Sequence, residues 1–140
     1  MAAQGNPQLY ARQKVKHLTV ILLLLFSTTC WGEWTKVAEN ESGDAYIDFE
    51  RLKASGATVH YWKLSDYLKP NSGGYLSVIN YEMGDCEMFR VKTLQSTSYR
   101  HSMGVGESLQ IPESILSGDG WRYPHPGSVG EWALKAACGQ

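Results

Sequence analysis

A short apolar run near the N-terminus limits what the rest of this chain can be. The run covers residues 20–26 and follows a polar segment that carries Arg12, Lys14 and Lys16 but no acidic residue. Small residues follow it at 27–30. This order is typical of a secretory signal peptide, and the run is too short to span a bilayer. We therefore predict a signal peptide over residues 1–32, export, no membrane span, and one domain over residues 33–140.

Cys30 lies at the boundary of this leader. Cleavage after Gly32 is favoured, because Cys30 and Gly32 then occupy the third and first positions before the cut, where small residues are required. Cleavage after Cys30 is the second option. Lipid modification of Cys30 is a third, although Ser27 and Thr29 replace the leucine and the glycine, alanine or serine usual in lipoprotein signals.

Export also decides how the other two cysteines are interpreted. Cys86 and Cys138 form an even pair in an oxidising compartment, which favours a disulfide. A bridge closing a loop of about 50 residues contributes about 4 kcal/mol in the chain-entropy description. That is a large share of the stability of a small domain. Two buried free thiols are the alternative, which export disfavours.

The composition of residues 33–140 indicates a β-rich domain. Ten basic and fourteen acidic residues give a net charge of −4, which argues against a nucleic-acid partner. Tyr, Trp, Thr and Val are punctuated by Gly, Asn, Asp and Pro, as in strands joined by turns. Short connections predict an antiparallel meander. The predicted strands cover residues 34–38, 45–49, 58–67, 75–83, 86–94 and 99–103.

The end of the chain changes to a helical period. Ser128 and Glu131 fit a capping box that begins a helix. The predicted apolar stripe consists of Val129, Trp132, Ala133, Ala136 and Ala137. A helix of about ten residues is unstable alone, so we expect it to pack through Trp132 on the sheet and to be tied at Cys138. The predicted fold class is α+β: an antiparallel meander of about six strands with a C-terminal helix tethered by a disulfide.

The segment after Cys86 does not alternate simply. A regular strand would place Cys86 and Lys92 on one face and Phe89 and Val91 on the other. Either a bulge resets the alternation or both faces are partly covered. If both faces of this strand are partly apolar, we predict that the second face forms a homodimer contact.

The histidines show no arrangement that indicates catalysis. His60, His101 and His125 have no metal-ligand spacing, and no nucleophile or nucleotide-binding motif is present. We therefore predict no enzyme activity and no catalytic, cofactor or metal site. A hydrolase, or a zinc site built from His60, His101 and an acid, is the disfavoured alternative.

Surface recognition is the remaining type of function. Most aromatic side chains are expected in the core, and the exposed remainder suits a recognition surface. The local basic concentration consists of Arg90, Lys92, Arg100 and His101. These four residues are the predicted partner-binding group, suited to an acidic protein or a sulfated polysaccharide.

An ordered set of residues resembles the surface-adhesin protein E family of Gram-negative bacteria. The set comprises Trp34, Asp48, the run Trp62-Lys63-Leu64-Ser65-Asp66-Tyr67, Asp85-Cys86, Trp121, Pro126-Gly127-Ser128 and Cys138. The resemblance implies an antiparallel sheet with a disulfide-tethered C-terminal helix. It also implies binding of host proteins such as vitronectin, laminin and plasminogen. The predicted location of the exported protein is the periplasm, or the cell surface and the extracellular space. The alternative is a soluble periplasmic accessory domain with an unknown bacterial partner.

Overall fold

The computed structural model describes residues 33–116 and 120–139, apart from the side chain of Glu113. The predicted leader over residues 1–32, including Cys30, lies outside the described residues. The strands are β1 (Trp34–Asn40), β2 (Gly43–Ser55), β3 (Thr58–Tyr67), β4 (Ser77–Asp85), β5 (Arg90–His101), β6 (Val105–Ile111) and β7 (Trp121–Arg122). The α-helices are α1 (Glu113–Leu116) and α2 (Val129–Ala137), and a 3₁₀ turn covers Ser102–Gly104.

The strands form one antiparallel sheet in which β1 to β6 pair in chain order. Short connections between consecutive strands favour this arrangement. The two-residue strand β7 pairs with the beginning of β5, while β6 pairs with its second half. The predicted meander and the α+β class are confirmed.

The start of β5 differs from the prediction. Residues 86–89 form a turn instead of a strand, and Phe89 has a φ of 50°. The Asp85 carboxylate accepts hydrogen bonds from the backbone N–H groups of Met88 and Glu87 at 3.0 and 3.2 Å. Together with the neighbouring Arg90, these bonds lower the pKa of Asp85 below its usual value. Cys86 therefore precedes the strand, and the simple alternation of β5 begins only at Arg90.

The core lies between the sheet and α2. Ala133, Leu134 and Ala137 of the helix are buried against the sheet. Their partners on the sheet are Ile47, Val59, Tyr61 and Val91. We call this side of the sheet the helix face.

The helix begins as predicted but turns a different stripe to the sheet. The Ser128 hydroxyl accepts a hydrogen bond from the Glu131 backbone N–H at 3.1 Å, which confirms Ser128 as the N-cap. The expectation that Trp132 packs on the sheet is wrong, since Trp132 is 52% exposed whereas Leu134 is fully buried. The Lys135 ammonium lies 4.9 Å from the Trp132 ring centre on the outer side of the helix.

The predicted disulfide is present. Cys86 is bonded to Cys138 across a sequence separation of 52 residues. The Cys86 backbone N–H also donates to the Ala57 carbonyl at 2.8 Å. The bridge therefore ties the end of α2 to the turn that follows β4, at the edge of the core.

Gly84 on β4 leaves room for the Leu134 side chain of α2. A Cβ at this position would lie 2.6 Å from Cδ1 of Leu134 and 3.0 Å from Cγ2 of Val59. We expect Gly84→Ala to lower the free energy of unfolding by about 2 kcal/mol through overpacking, measured by urea denaturation. Gly130→Ala is the control, because its Cβ would meet no atom closer than 3.6 Å. Equal stability of the Gly84→Ala variant and the unmodified protein would contradict this account of the packing.

Candidate binding surface

The side of the sheet opposite α2 carries aromatic residues that face solvent; we call it the open face. On this face Trp34, Asp48, Trp62 and Tyr81 are successive cross-strand partners on β1 to β4. The solvated face of an antiparallel sheet is usually polar, yet these three aromatic side chains are only partly buried. We call the four residues the aromatic row.

Arg51 contacts three members of the aromatic row. A bulge in β2 between Asp48 and Lys53 interrupts the pairing with β3. Arg51 lies in this bulge, and its Nε donates to Oδ2 of the fully buried Asp48 at 2.6 Å. Its guanidinium carbon is 6.0 Å from the Trp34 ring centre and 5.0 Å from that of Trp62, which is within the range of cation–π attraction.

The stack continues across the next strand. The ring centres of Trp62 and Tyr81 are 4.9 Å apart with an interplanar angle of 30°, and His60 follows at 6.0 Å from Tyr81. Such pairs add attraction beyond their buried area. Trp34, Arg51, Trp62 and Tyr81 thus form a continuous stack over four strands.

A second row of residues runs beside the aromatic row. Its members are also successive cross-strand partners, and we call it the basic row: Lys53, His60, Met83, Lys92 and Trp121. Among the described residues, no carboxylate forms an ion pair with Lys53 or Lys92. Within residues 33–116 and 120–139, neither ammonium group is neutralised by a carboxylate.

The structure separates the four basic residues predicted from the sequence into two pairs. Arg90 and Lys92 lie at the start of β5, whereas Arg100 and His101 lie at its end, about 30 Å away at the rise of a β-strand. Arg90 pairs with Asp85 at 3.1 Å and lies 4.4 Å from the Trp121 ring centre. The structure thus brings Arg90 and Lys92 to the end of the basic row.

Arg100 and His101 have local contacts at the other end of the sheet. Nη1 of Arg100 donates to the carbonyls of Gly73 and Gly74, and its guanidinium lies 4.5 Å from the Tyr75 ring centre. His101 lies against Gly106 at the start of β6. The Arg100 contacts anchor the loop between β3 and β4. Partner binding by Arg100 and His101 stays a prediction.

Sequence reasoning missed Arg51 and Lys53 as members of the site. Both follow Asp48 in the irregular part of β2, where alternation gives no information on which face a residue occupies. The aromatic residues were expected mostly in the core. Tyr61 is fully buried, but Trp62 and Tyr81 are not. Their positions in the middle of strands were the sequence feature that could have indicated a place on the exposed face.

A buried polar cluster lies on the helix face, beneath the start of α2. Glu82 is 1% exposed, and Oε1 accepts a hydrogen bond from Lys63 Nζ at 2.6 Å. Its Oε2 accepts from the Tyr61 hydroxyl at 3.0 Å. Burial, followed by the nearby Glu82 charge, raises the pKa of Tyr61 far above its ordinary value. Nδ2 of Asn80 also donates to Oε1 of Glu82 at 3.4 Å, while the buried Oδ1 of Asn80 has no hydrogen-bond partner among the described residues. Loss of either charge of the Lys63–Glu82 pair would leave the other charge buried without its partner.

The structure separates the histidines considered for a zinc site. His60 lies on the basic row, and His101 lies at the far end of β5. Within the described part of the chain, no group of three or more His, Cys, Asp or Glu side chains is arranged to hold a metal ion. His60 and His101 therefore do not lie together in one site. Among the helices of residues 33–116 and 120–139, none has the length and apolarity to cross a membrane.

Comparison with known proteins identifies the family to which the chain belongs. The sequence profile of the family described as Surface-adhesin protein E matches residues 34–139. Among solved structures, crystal form II of Haemophilus influenzae protein E matches with a TM-score of 0.56 at 16% identity, covering 80% of this chain and 91% of that one. At this identity the likeness concerns the fold. No curated protein matches the chain. Since the profile extends from β1 to the residue after the disulfide, the chain belongs to the surface-adhesin protein E family.

Proposed function

We propose that this protein is an exported binding module of the adhesin type, which attaches to a component of the extracellular matrix through its open face. Membership of a surface-adhesin family supports a binding role. The observation that carries the proposal is the partly exposed stack of Trp34, Arg51, Trp62 and Tyr81. Trp, Tyr and Arg are the residues that most often dominate binding energy at interfaces.

The rigidity of the stack supports this role. Arg51 is fixed between two indole rings by its bond to a buried carboxylate, and Tyr81 stacks on Trp62. Side chains ordered before binding lose little conformational entropy when a partner arrives. The function proposed is therefore recognition by a preformed surface and not catalysis.

The proposal is tested by direct binding. Immobilised vitronectin and laminin are exposed to the oxidised, exported protein in biolayer interferometry, and we expect saturable binding to at least one. Tyr81→Ala removes the ring that stacks on Trp62 and leaves the Arg51–Asp48 bond in place. We therefore expect affinity to fall at least about tenfold, as for interface hot spots. Circular dichroism verifies that the variant keeps its fold.

Tyr123→Ala is the matched control. Tyr123 is 61% exposed and precedes α2, outside the aromatic row. Its removal deletes the same side chain and is expected to change the affinity less than twofold. Absence of binding to every matrix protein, or an equal loss in the Tyr123→Ala variant, would reject the proposed surface.

Export and location are part of the same proposal. We expect removal of residues 1–32 and oxidation of the Cys86–Cys138 pair, both readable in the intact mass. Digestion of the protein by protease added to whole cells would support a surface location. Full protection in whole cells, with release in the periplasmic fraction, would instead support the accessory-domain alternative.

A further inference from the structure

The lysines of the basic row indicate which chemical class of partner the open face binds. Lys53 lies on β2 and Lys92 on β5, three strand spacings or roughly 14 Å apart across the sheet. Neither has a carboxylate partner within the described residues. Residues 33–140 carry a net charge of −4, so lysines left unpaired beside an aromatic stack are best explained by a ligand that brings its own anions.

Charge is distributed unevenly along the open face. Asp44 and Asp66 are cross-strand partners at the opposite end of β2 and β3, and Lys36 pairs with Asp44 at 3.1 Å. An anionic ligand is therefore favoured at the end that carries Lys53 and Lys92, where it would lie across the strands. The exposed carboxylates of Glu50, in the β2 bulge, and Glu87, in the turn before β5, offset part of the positive charge at that end. Because the lysines face solvent, salt should screen their attraction for an anion.

The surface is shaped for an extended ligand. A cavity of about 360 Å³ lies on the helix face beside Lys63 and Arg122, and another lies beside the β1–β2 turn. Neither is lined by a residue of the aromatic row or the basic row. A linear chain that crosses several strands can reach both lysines, whereas a small molecule held in either of these cavities would reach neither.

We infer that the open face binds a linear sulfated polysaccharide, with sulfate groups at Lys53 and Lys92 and the sugar rings beside Trp62 and Tyr81. Such a chain combines regularly spaced anions with the apolar C–H surfaces that aromatic side chains accept. The inference rests on the proposed function and names the chemistry of its ligand.

Heparin is the probe, measured by isothermal titration with the oxidised, exported protein at low salt and repeated at rising salt. We expect saturable binding that weakens with salt, and no binding of unsulfated dextran. The double variant Lys53→Gln/Lys92→Gln should bind heparin about tenfold more weakly, as expected for the loss of two charge contacts. It should also show a shallower dependence on salt.

The matched control is Lys36→Gln/Lys69→Gln, which makes the same charge change at the other end of the sheet. Lys36 lies on β1 and pairs with Asp44 at 3.1 Å, and Lys69 lies in the loop after β3. We expect less than a twofold change in this variant. A larger loss here than in Lys53→Gln/Lys92→Gln would overturn the assigned location. Equal binding of dextran and heparin would overturn the ligand class.

The outcomes separate this inference from the proposed function. If vitronectin or laminin binds through Tyr81 while heparin does not bind, the polysaccharide assignment is wrong and the adhesin proposal stands. If neither the matrix proteins nor heparin bind, both fail. If heparin alone binds, and only the basic-row variant weakens it, the inference stands without the matrix-protein contact.

Discussion

Loss of the Cys86–Cys138 bridge is expected to lower the free energy of unfolding by about 4 kcal/mol. The bridge spans 52 residues, and in the chain-entropy description a loop of this length gives about that value. The effect arises because the cross-link reduces the number of conformations open to the unfolded chain. The bridge also fastens α2, whose nine residues are too few for the helix to persist by its own hydrogen bonds. Without the bond, only the packing of Leu134 and its neighbours holds the helix on the sheet.

Urea unfolding of the Cys86→Ala/Cys138→Ala variant, compared with the oxidised protein, measures this effect. Adding reductant to the oxidised protein should reproduce the loss. Adding it to the double alanine variant, which has no bridge, should change nothing and so controls for side effects of the reductant. A loss below about 1 kcal/mol would show that the bridge is not needed to hold α2.

Lys63→Met is expected to lower the free energy of unfolding by about 3–5 kcal/mol. The Lys63 side chain is 13% exposed and the Glu82 side chain 1% exposed. Removing the ammonium leaves a buried carboxylate without its ion partner, which is among the more costly single changes in a protein interior. The remaining cation, Arg122, has Nη2 4.0 Å from Glu82 Oε1 and is itself 61% exposed, so it offsets only part of the cost.

Two further variants test this explanation by urea unfolding. Lys63→Met/Glu82→Gln removes both charges, and a neutral amide can still hydrogen-bond Tyr61; we expect it to recover more than half of the lost stability. Lys36→Met removes a surface lysine that contacts Glu39 and Asp44 at 2.6 and 3.1 Å, and it should cost less than about 1 kcal/mol. Equal losses in Lys63→Met and Lys36→Met would contradict a buried origin for the effect.

The buried pair also shows a limit of sequence reasoning. Lys63 and Glu82 are 19 residues apart, and each lies in a strand whose alternation alone allows a solvent-facing position. They meet because β3 and β4 pair in one particular register, with Tyr61 opposite Glu82. A shift by one residue would turn Glu82 to the open face, so a single sequence could not predict the cluster.

The candidate surface was predictable only in part for the same reason. The basic residues of β5 were recognised, but proximity in sequence joined Arg90 and Lys92 to Arg100 and His101, which the extended strand holds far apart. Arg51 and Lys53 were missed because the β2 bulge assigns them to the open face.

The amino-acid sequence by itself determined the local features of this protein. Alternation and turn residues predicted the antiparallel meander, Ser128 predicted the start of the helix, and the even cysteine pair predicted the bridge. These features depend on residues close in sequence, or on the count of a rare residue type. The tertiary structure alone decided that Leu134 and not Trp132 enters the core, and which side chains of β1 to β5 lie together on the open face. Strand register and bulges set those neighbours, and both result from the packing of the whole sheet.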